Sequence, residues 1–254
     1  MFDIRIADLN IRIENCHPYL EQFCVKYRID KTTSETDCLN QITGDSSVSG
    51  TPDISVSISD EEIQSELAKG INPFMSEGYA ESIVAYEKIS CLLPAFNAFV
   101  MHSSVISLDG QAFCFAAKCG VGKSTHTRFW KELYGDRVIV INGDKPIYRF
   151  DGDKLMAYGT PWCGKEGWNT NTKAPLKALC LLERGEENKI CPVDGFQELG
   201  AITNQFYLPG NEQVDILKMF DLIDQMIHTV KVYRLSVKNE ISAAKTAAEE
   251  LSNL

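Results

Sequence analysis

The sequence predicts an α/β protein built on a mixed β-sheet, and three observations carry that expectation. Ala112-Phe-Cys-Phe-Ala116 is a short apolar, aromatic-rich run of the kind that forms a buried strand. A glycine loop follows at once, and then Lys123–Tyr134, which reads as a helix with Phe129, Trp130 and Leu133 for packing and Gly135 as its stop. Immediately upstream, Val105–Leu108 and Gln111–Phe115 flank Asp109-Gly110, which reads as a two-residue hairpin turn. The strand entering the loop therefore has an antiparallel neighbour, and an all-parallel sheet is not expected.

Before this core, residues 1–58 read as β-rich and irregular. Leu9, Ile11 and Ile13 share one face of Asp8–Glu14, and both Phe23–Ile29 and Asp53–Ile58 alternate apolar with polar. Thr32–Gly50 is polar, rich in Ser and Thr, and reads as a loop. Ser59-Asp-Glu-Glu opens a helix with acid in its first turn, and a second helix runs from about Glu77 to Leu93, before Pro94. The expected division is residues 1–98, β-rich plus helical and packed on the core, and residues 99–254, the core itself.

After the loop helix, Arg137–Ile141 is another buried-type strand, ending in Asn142-Gly143-Asp144-Lys145-Pro146. Ile147–Phe150, Asp151-Gly152 and Lys154–Tyr158 read as a further hairpin, and Ala178–Leu182 as a strand. The tail reads as a helix over about Glu212–His228, a strand over Lys231–Val237 and a helix over Glu240–Leu251, with ordinary amphipathic spacing.

The glycine loop carries the chemistry. Ala117-Lys-Cys-Gly-Val-Gly-Lys-Ser124 is A-x-x-x-x-G-K-S, one residue from the G-x-x-x-x-G-K-[ST] phosphate-loop pattern. Small residues let the backbone wrap phosphate oxygens with its N–H groups inward, and the helix adds the partial positive charge of its first turn. Nucleotide binding is thus expected at Ala117, Lys118, Cys119, Gly120, Val121, Gly122, Lys123, Ser124 and Thr125. Lys123 would reach the β- and γ-phosphates and Ser124 would hold Mg²⁺. The bland alternative is a glycine-rich turn that binds nothing, but packing alone gives little reason for Gly-x-Gly-Lys-Ser between a strand and a helix.

Asp144 stands at the end of an apolar strand one helix after the loop, where a metal-side or general-base carboxylate is expected. A turn Asp before Pro146 is the alternative. His102 precedes the hairpin, and the supposed sheet order would bring it to the same site. Tyr158–Asn169 holds two Trp, three Gly and the pair Lys165-Glu166 between two strands. It reads equally as a substrate loop or as a rigid connection with Trp162 packed beneath it.

Composition narrows the classes. A formal net charge of −10 argues against a nonspecific nucleic-acid or anionic-membrane surface, while Lys118 and Lys123 supply local positive charge at the loop. The nine cysteines are odd in number and scattered, with no C-x-x-C, so neither a disulfide framework nor a zinc site is indicated. Met-Phe-Asp-Ile-Arg lacks a signal-peptide pattern, and no run approaches ~20 apolar residues. A cytoplasmic location is the expectation.

The stretch from His102 to Asp144 resembles HPr kinase/phosphorylase and the ATP-dependent phosphoenolpyruvate carboxykinases. The resemblance rests on His102-Ser-Ser, the Asp109-Gly110 hairpin, Gly120-Val-Gly-Lys-Ser124 and the strand ending at Asp144. It is closer still to bacterial HPr-kinase-like proteins with a G-K-S-T-H-T loop and a G-T-P-W-x-G-K segment, here Gly122–Thr127 and Gly159–Lys165. It covers roughly residues 100–185. It implies a mixed-sheet P-loop core of the HPr kinase/phosphoenolpyruvate carboxykinase type with a β-rich N-terminal extension. It also implies ATP and Mg²⁺ as cofactors, Lys123 on the phosphates, Ser124 and an acidic residue on Mg²⁺, and a strand-end Asp as base on the acceptor hydroxyl. HPr kinases pair two Asp at that strand end. Gly143 replaces one here, and Glu166 is the candidate second carboxylate and metal ligand.

The expectation is an ATP- and Mg²⁺-dependent phosphotransferase acting on a hydroxyl. Asp144 would be the base, and His102 and Lys165 would stabilise charge on the transferred group. Its partners would be a nucleotide and a protein, peptide or small-molecule acceptor, with a homo-oligomer left open. Some relatives phosphorylate Ser in peptides, so that acceptor class is allowed. The alternatives are a carboxykinase-like enzyme, which needs an Arg cluster not evident here, and a nucleotide-sensing module without catalysis. No N-K-x-D guanine-reading motif occurs.

Overall fold

A computed structural model describes residues 1–29, 51–207 and 215–251. It divides into two compact units, Met1–Lys88 and Ile89–Leu254. The loop expected over Thr32–Gly50 and the first residues of the helix expected from Glu212 lie outside the described residues.

In the first unit, β1 (Phe2–Ile6) and β2 (Leu9–Glu14) form an antiparallel hairpin, and β3 (Ile54–Ser57) joins β2 in parallel. The β1–β2 turn is Ala7-Asp8, both at positive φ. Because it uses no glycine, the sequence does not announce it. Between β2 and β3, Phe23–Ile29 is not the strand its alternation predicts. Helix α1 (Pro18–Phe23) runs into a 3₁₀ turn, Val25–Tyr27. Pro18 presets the first helical turn. The buried residues are Leu20, Cys24 and Tyr27, whose spacing is helical, while Val25 is exposed.

Helix α2 (Asp60–Ala68) opens on a capping box: Ser59 Oγ accepts from the Glu62 amide, and the Glu62 carboxylate accepts from the Ser59 amide. Helix α3 (Glu77–Leu92) follows, and its Glu81 is fully buried, accepting the backbone N–H groups of Cys16 and His17.

The second unit holds a curled mixed sheet. Its elements are β4 (Ala98–Val100), β5 (Ser103–Leu108), β6 (Gln111–Ala116), α4 (Lys123–Tyr134), β7 (Val138–Asn142), β8 (Ile147–Asp151), β9 (Lys154–Tyr158), β10 (Lys173–Arg184), β11 (Lys189–Val193), α5 (Leu199–Thr203), α6 (Ile216–Thr229), β12 (Lys231–Val237) and α7 (Ser242–Leu251). The strand order is β4-β8-β9-β10-β6-β5-β7, with β12 beside β10 and β11 beside β12. Strand β10 is much longer than Ala178–Leu182: its first residues pair antiparallel with β9, and its later ones pair in parallel with β6 and β12.

Register decides where the chain ends converge. Strand β5 is antiparallel to both β6 and β7, so β6 and β7 run the same way. Strands β10 and β12 run with them. The C-terminal ends of β6, β7, β10 and β12 and the N-terminal end of β5 therefore share one edge of the sheet. That edge is where open α/β sheets present their ligands.

Alternation along β6 sends Phe113 and Phe115 to one face and Ala112, Cys114 and Ala116 to the other. Helices α4 and α7 cover the first face, through Phe129, Trp130 and the alanines of α7. Helices α5 and α6 pack on the second. Among the described residues, no helix is long and apolar enough to cross a membrane.

Candidate functional site

The loop Ala117–Gly122 leaves β6 and enters α4. Gly120 and Gly122 have φ of +80° and +130°, a region L-residues rarely adopt. Ala117 is not among the positive-φ residues, and its side chain is buried in the α4 face of the core. The loop thus keeps glycine where the backbone demands it and replaces it where a methyl packs. Gly122 caps α4 with no side-chain hydrogen bond to its first-turn amides. The Lys123 ammonium is buried and donates to the Ala117 carbonyl at 2.9 Å. Burial lowers its pKa, with the nearby Asp144 charge opposing. Ser124 and Thr125 are half-buried, while Lys118 and Cys119 are exposed.

Asp144 and His102 reach the same edge from neighbouring strands. The Ser103 amide donates to the Asp144 carbonyl at 3.0 Å, and His102 Nε2 lies 3.2 Å from Asp144 Oδ1. The His102 amide is fixed in turn by the Gln205 carbonyl at 2.7 Å. Burial is the largest influence on the Asp144 carboxyl and acts upward. The His102 hydrogen bond and the charges of His102, Lys145 and Lys123 outweigh it and hold the pKa below its ordinary value. These influences favour the ionised carboxylate, and the loop lysine lies within their electrostatic reach.

Asn142, fully buried, builds the turn that presents Asp144. Its Oδ1 accepts the amides of Asp144 and Lys145, both at 2.8 Å, and its Nδ2 donates to the carbonyl and hydroxyl of Thr160. Thr160 belongs to the Trp-rich segment, which is pinned to the end of β7. The Gly143 amide donates to the Trp168 carbonyl and the Thr170 amide to the Ile141 carbonyl. A Cβ at Gly159 would fall 1.9 Å from the Thr170 carbonyl oxygen, so only glycine fits there.

Trp162 is buried beneath this segment. The turn that follows holds Gly164 against Asp144, and the Glu166 carboxylate approaches the same point: a Cβ at Gly164 would lie 3.1 Å from Asp144 Cβ and 3.7 Å from Glu166 Oε2. The fold thus brings Glu166 towards Asp144, while Lys165 projects into solvent.

Sequence reasoning missed Arg184. At the end of β10 its guanidinium donates to the carbonyls of Gly120 (2.6 Å) and Val121 (3.3 Å), bracing the loop. Only the parallel pairing of β10 with β6 brings it there, and the shorter strand read from the sequence stops before it. Ser104 was missed likewise: its hydroxyl pairs with that of Thr127 at 2.7 Å and ties β5 to α4. A cleft of about 580 Å³ opens beside the loop on the α4 face, and another of about 480 Å³ lies on the α5 face between Lys118, Arg184 and Arg234.

The chain is thus a mixed α/β protein with a strand–glycine loop–helix edge and a carboxylate beside the loop lysine. No protein-family model and no curated protein matches it. Among solved structures, it is similar to the Hpr(Ser) kinase/phosphatase from Coxiella burnetii, at 7% identity over 61% of this chain and 93% of that one, with a TM-score of 0.35. That degree of likeness carries no functional weight.

Proposed function

We propose that the protein is an ATP- and Mg²⁺-dependent phosphotransferase whose acceptor is a hydroxyl of a protein, a peptide or a small molecule. The observation that carries this is the meeting of Lys123 and Asp144 at one sheet edge, each close enough to shift the other's protonation, beside a loop whose glycines sit where a phosphate loop needs them. Lys123 and the loop amides hold and orient the phosphates. The Asp144 carboxylate, aligned by His102 and the Asn142 turn, accepts the proton of the attacking hydroxyl. His102, held on Asp144, and Lys165, exposed in the turn that follows Trp162, would compensate charge on the transferred group.

Ser124, Asp144 and Glu166 offer oxygen donors of the kind a hard cation takes. Among the described residues no three His, Cys, Asp or Glu are grouped to hold a metal ion. Bound Mg²⁺ would neutralise phosphate charge.

The test is incubation with terminally labelled ATP and Mg²⁺ against candidate peptide and protein acceptors, read by intact mass. Wild-type protein should add one phosphate. Lys123→Ala should lower ATP affinity roughly 10- to 100-fold, the loss of a charge-assisted contact. Asp144→Asn should keep ATP affinity and lose transfer by about 10²-fold or more. Unchanged affinity in Lys123→Ala would sink the loop assignment, and tight ATP binding with no transfer to any acceptor would favour the nucleotide-sensing module.

A further inference from the structure

His126, in the first turns of α4, is polar, buried and unused by the phosphate chemistry. Its imidazole is 2% exposed and packs edge-on against Phe115, with ring centroids 4.6 Å apart. Trp130 Nε1–H donates to His126 Nε2 at 2.9 Å. Because Nε2 accepts, the ring proton sits on Nδ1. Burial pushes the pKa down to about 3, which keeps this ring neutral near neutral pH. Nδ1–H is buried with no hydrogen-bond partner. An orphaned buried donor is costly, and such groups in folded proteins call for an explanation.

The position of the ring supplies one. His126 lines the 580 Å³ cleft together with Gly122, Thr125, Phe129, Val237 and Asn239. This cleft lies over the ends of β10 and β12. Strands β5 and β7, and with them Asp144, lie on the opposite side of β6. A nucleotide with its phosphates on the loop amides and its terminal phosphate toward Asp144 can extend its other end into this cleft. Phe129, Val121 and Val237 offer an apolar wall there, and Lys238 and Asn239 a polar rim.

We propose that His126 is a nucleoside-binding residue, its Nδ1–H donating to an acceptor atom of the ribose or base, an inference that rests on the phosphate-loop reading above. Nδ1 is closed to water in this state, so the ligand reaches it when the loop yields.

The test compares Mg-ATP with Mg-tripolyphosphate, which carries phosphates and no nucleoside, by binding titration and by ¹⁵N-histidine NMR. Mg-ATP should move the His126 Nδ1–H resonance and tripolyphosphate should leave it in place. His126→Phe keeps an aromatic ring against Phe115. It should weaken Mg-ATP binding about tenfold, one lost hydrogen bond, and leave tripolyphosphate affinity unchanged. An unmoved resonance with Mg-ATP bound overturns the inference. So does an equal loss for both ligands, or an undiminished Mg-ATP affinity in His126→Phe. Should that variant fail to fold, the wild-type spectra decide. Wild-type protein that binds neither ligand overturns the phosphate-loop reading as well, whereas binding of both with no role for His126 overturns the inference alone.

Discussion

Gly143 lies so close to Cys163 that a Cβ at position 143 would stand 3.0 Å from the Cys163 carbonyl oxygen, with Trp168 at 3.5 Å. A side chain at position 143 would therefore press on the backbone of the Trp-rich segment, which would have to give by a few tenths of an ångström. The same segment brings the Glu166 carboxylate towards Asp144. Gly143→Asp should thus destabilise the protein by about 1–3 kcal/mol, as overpacking does, and should not improve transfer. Urea denaturation measures the first and phosphate transfer the second. A variant as stable as wild type with higher activity would show that Gly143 is a lost catalytic position rather than a packing requirement. Glu166→Gln should leave stability unchanged and raise the Mg²⁺ concentration needed for half-maximal transfer.

The His102–Asp144 pair gives a pH dependence whose sign is fixed. The folded-state pKa of Asp144 is depressed by its hydrogen bond to His102 and by the charges around it, despite burial. A depressed carboxyl contributes stability that is fully present above its unfolded pKa, about 4, and is lost as pH falls through the lower folded value. Unfolding free energies of wild type and Asp144→Asn should therefore differ most at neutral pH and converge in acid. Parallel curves would mean that the carboxylate contributes nothing through ionisation. Transfer should likewise keep its basic catalyst down to pH values below the usual carboxylate range.

The central elements were legible because local and tertiary signals agree there. Lys123–Tyr134 forms the helix its spacing predicts, and Asp109-Gly110 the hairpin turn, with both residues at positive φ. Strand β7 delivers Asp144 beside the loop, and the antiparallel β5 makes the sheet mixed. Phe23–Ile29 misled because four alternating apolar residues fit both periods, and Leu20, outside that window, decides for the helix. Arg184 and His126 were illegible for another reason. Arg184 acts through a partner 64 residues away and His126 through a hydrogen bond left unmade, and no spacing along the chain encodes either.

Ala117 and Gly122 test whether the loop obeys backbone geometry or the letters of its motif. Gly122, at φ +130°, initiates α4, and any L-residue is strained at that angle. Gly122→Ala should cost roughly 1–2 kcal/mol of stability and weaken tripolyphosphate binding, because the strain relaxes by moving the amides that would face the phosphates. Ala117 has an ordinary φ and a buried methyl, so Ala117→Gly, which restores the consensus, gains no conformational freedom that the folded loop uses. It should lose about 0.5–1 kcal/mol through the unfolded chain's greater entropy, with phosphate affinity unchanged. Thermal denaturation and tripolyphosphate titration of the two variants give the four numbers. A gain in affinity on Ala117→Gly would mean that the first position of the loop limits phosphate binding, contrary to the geometry in which Ala117 serves Lys123 through its carbonyl and the core through its methyl.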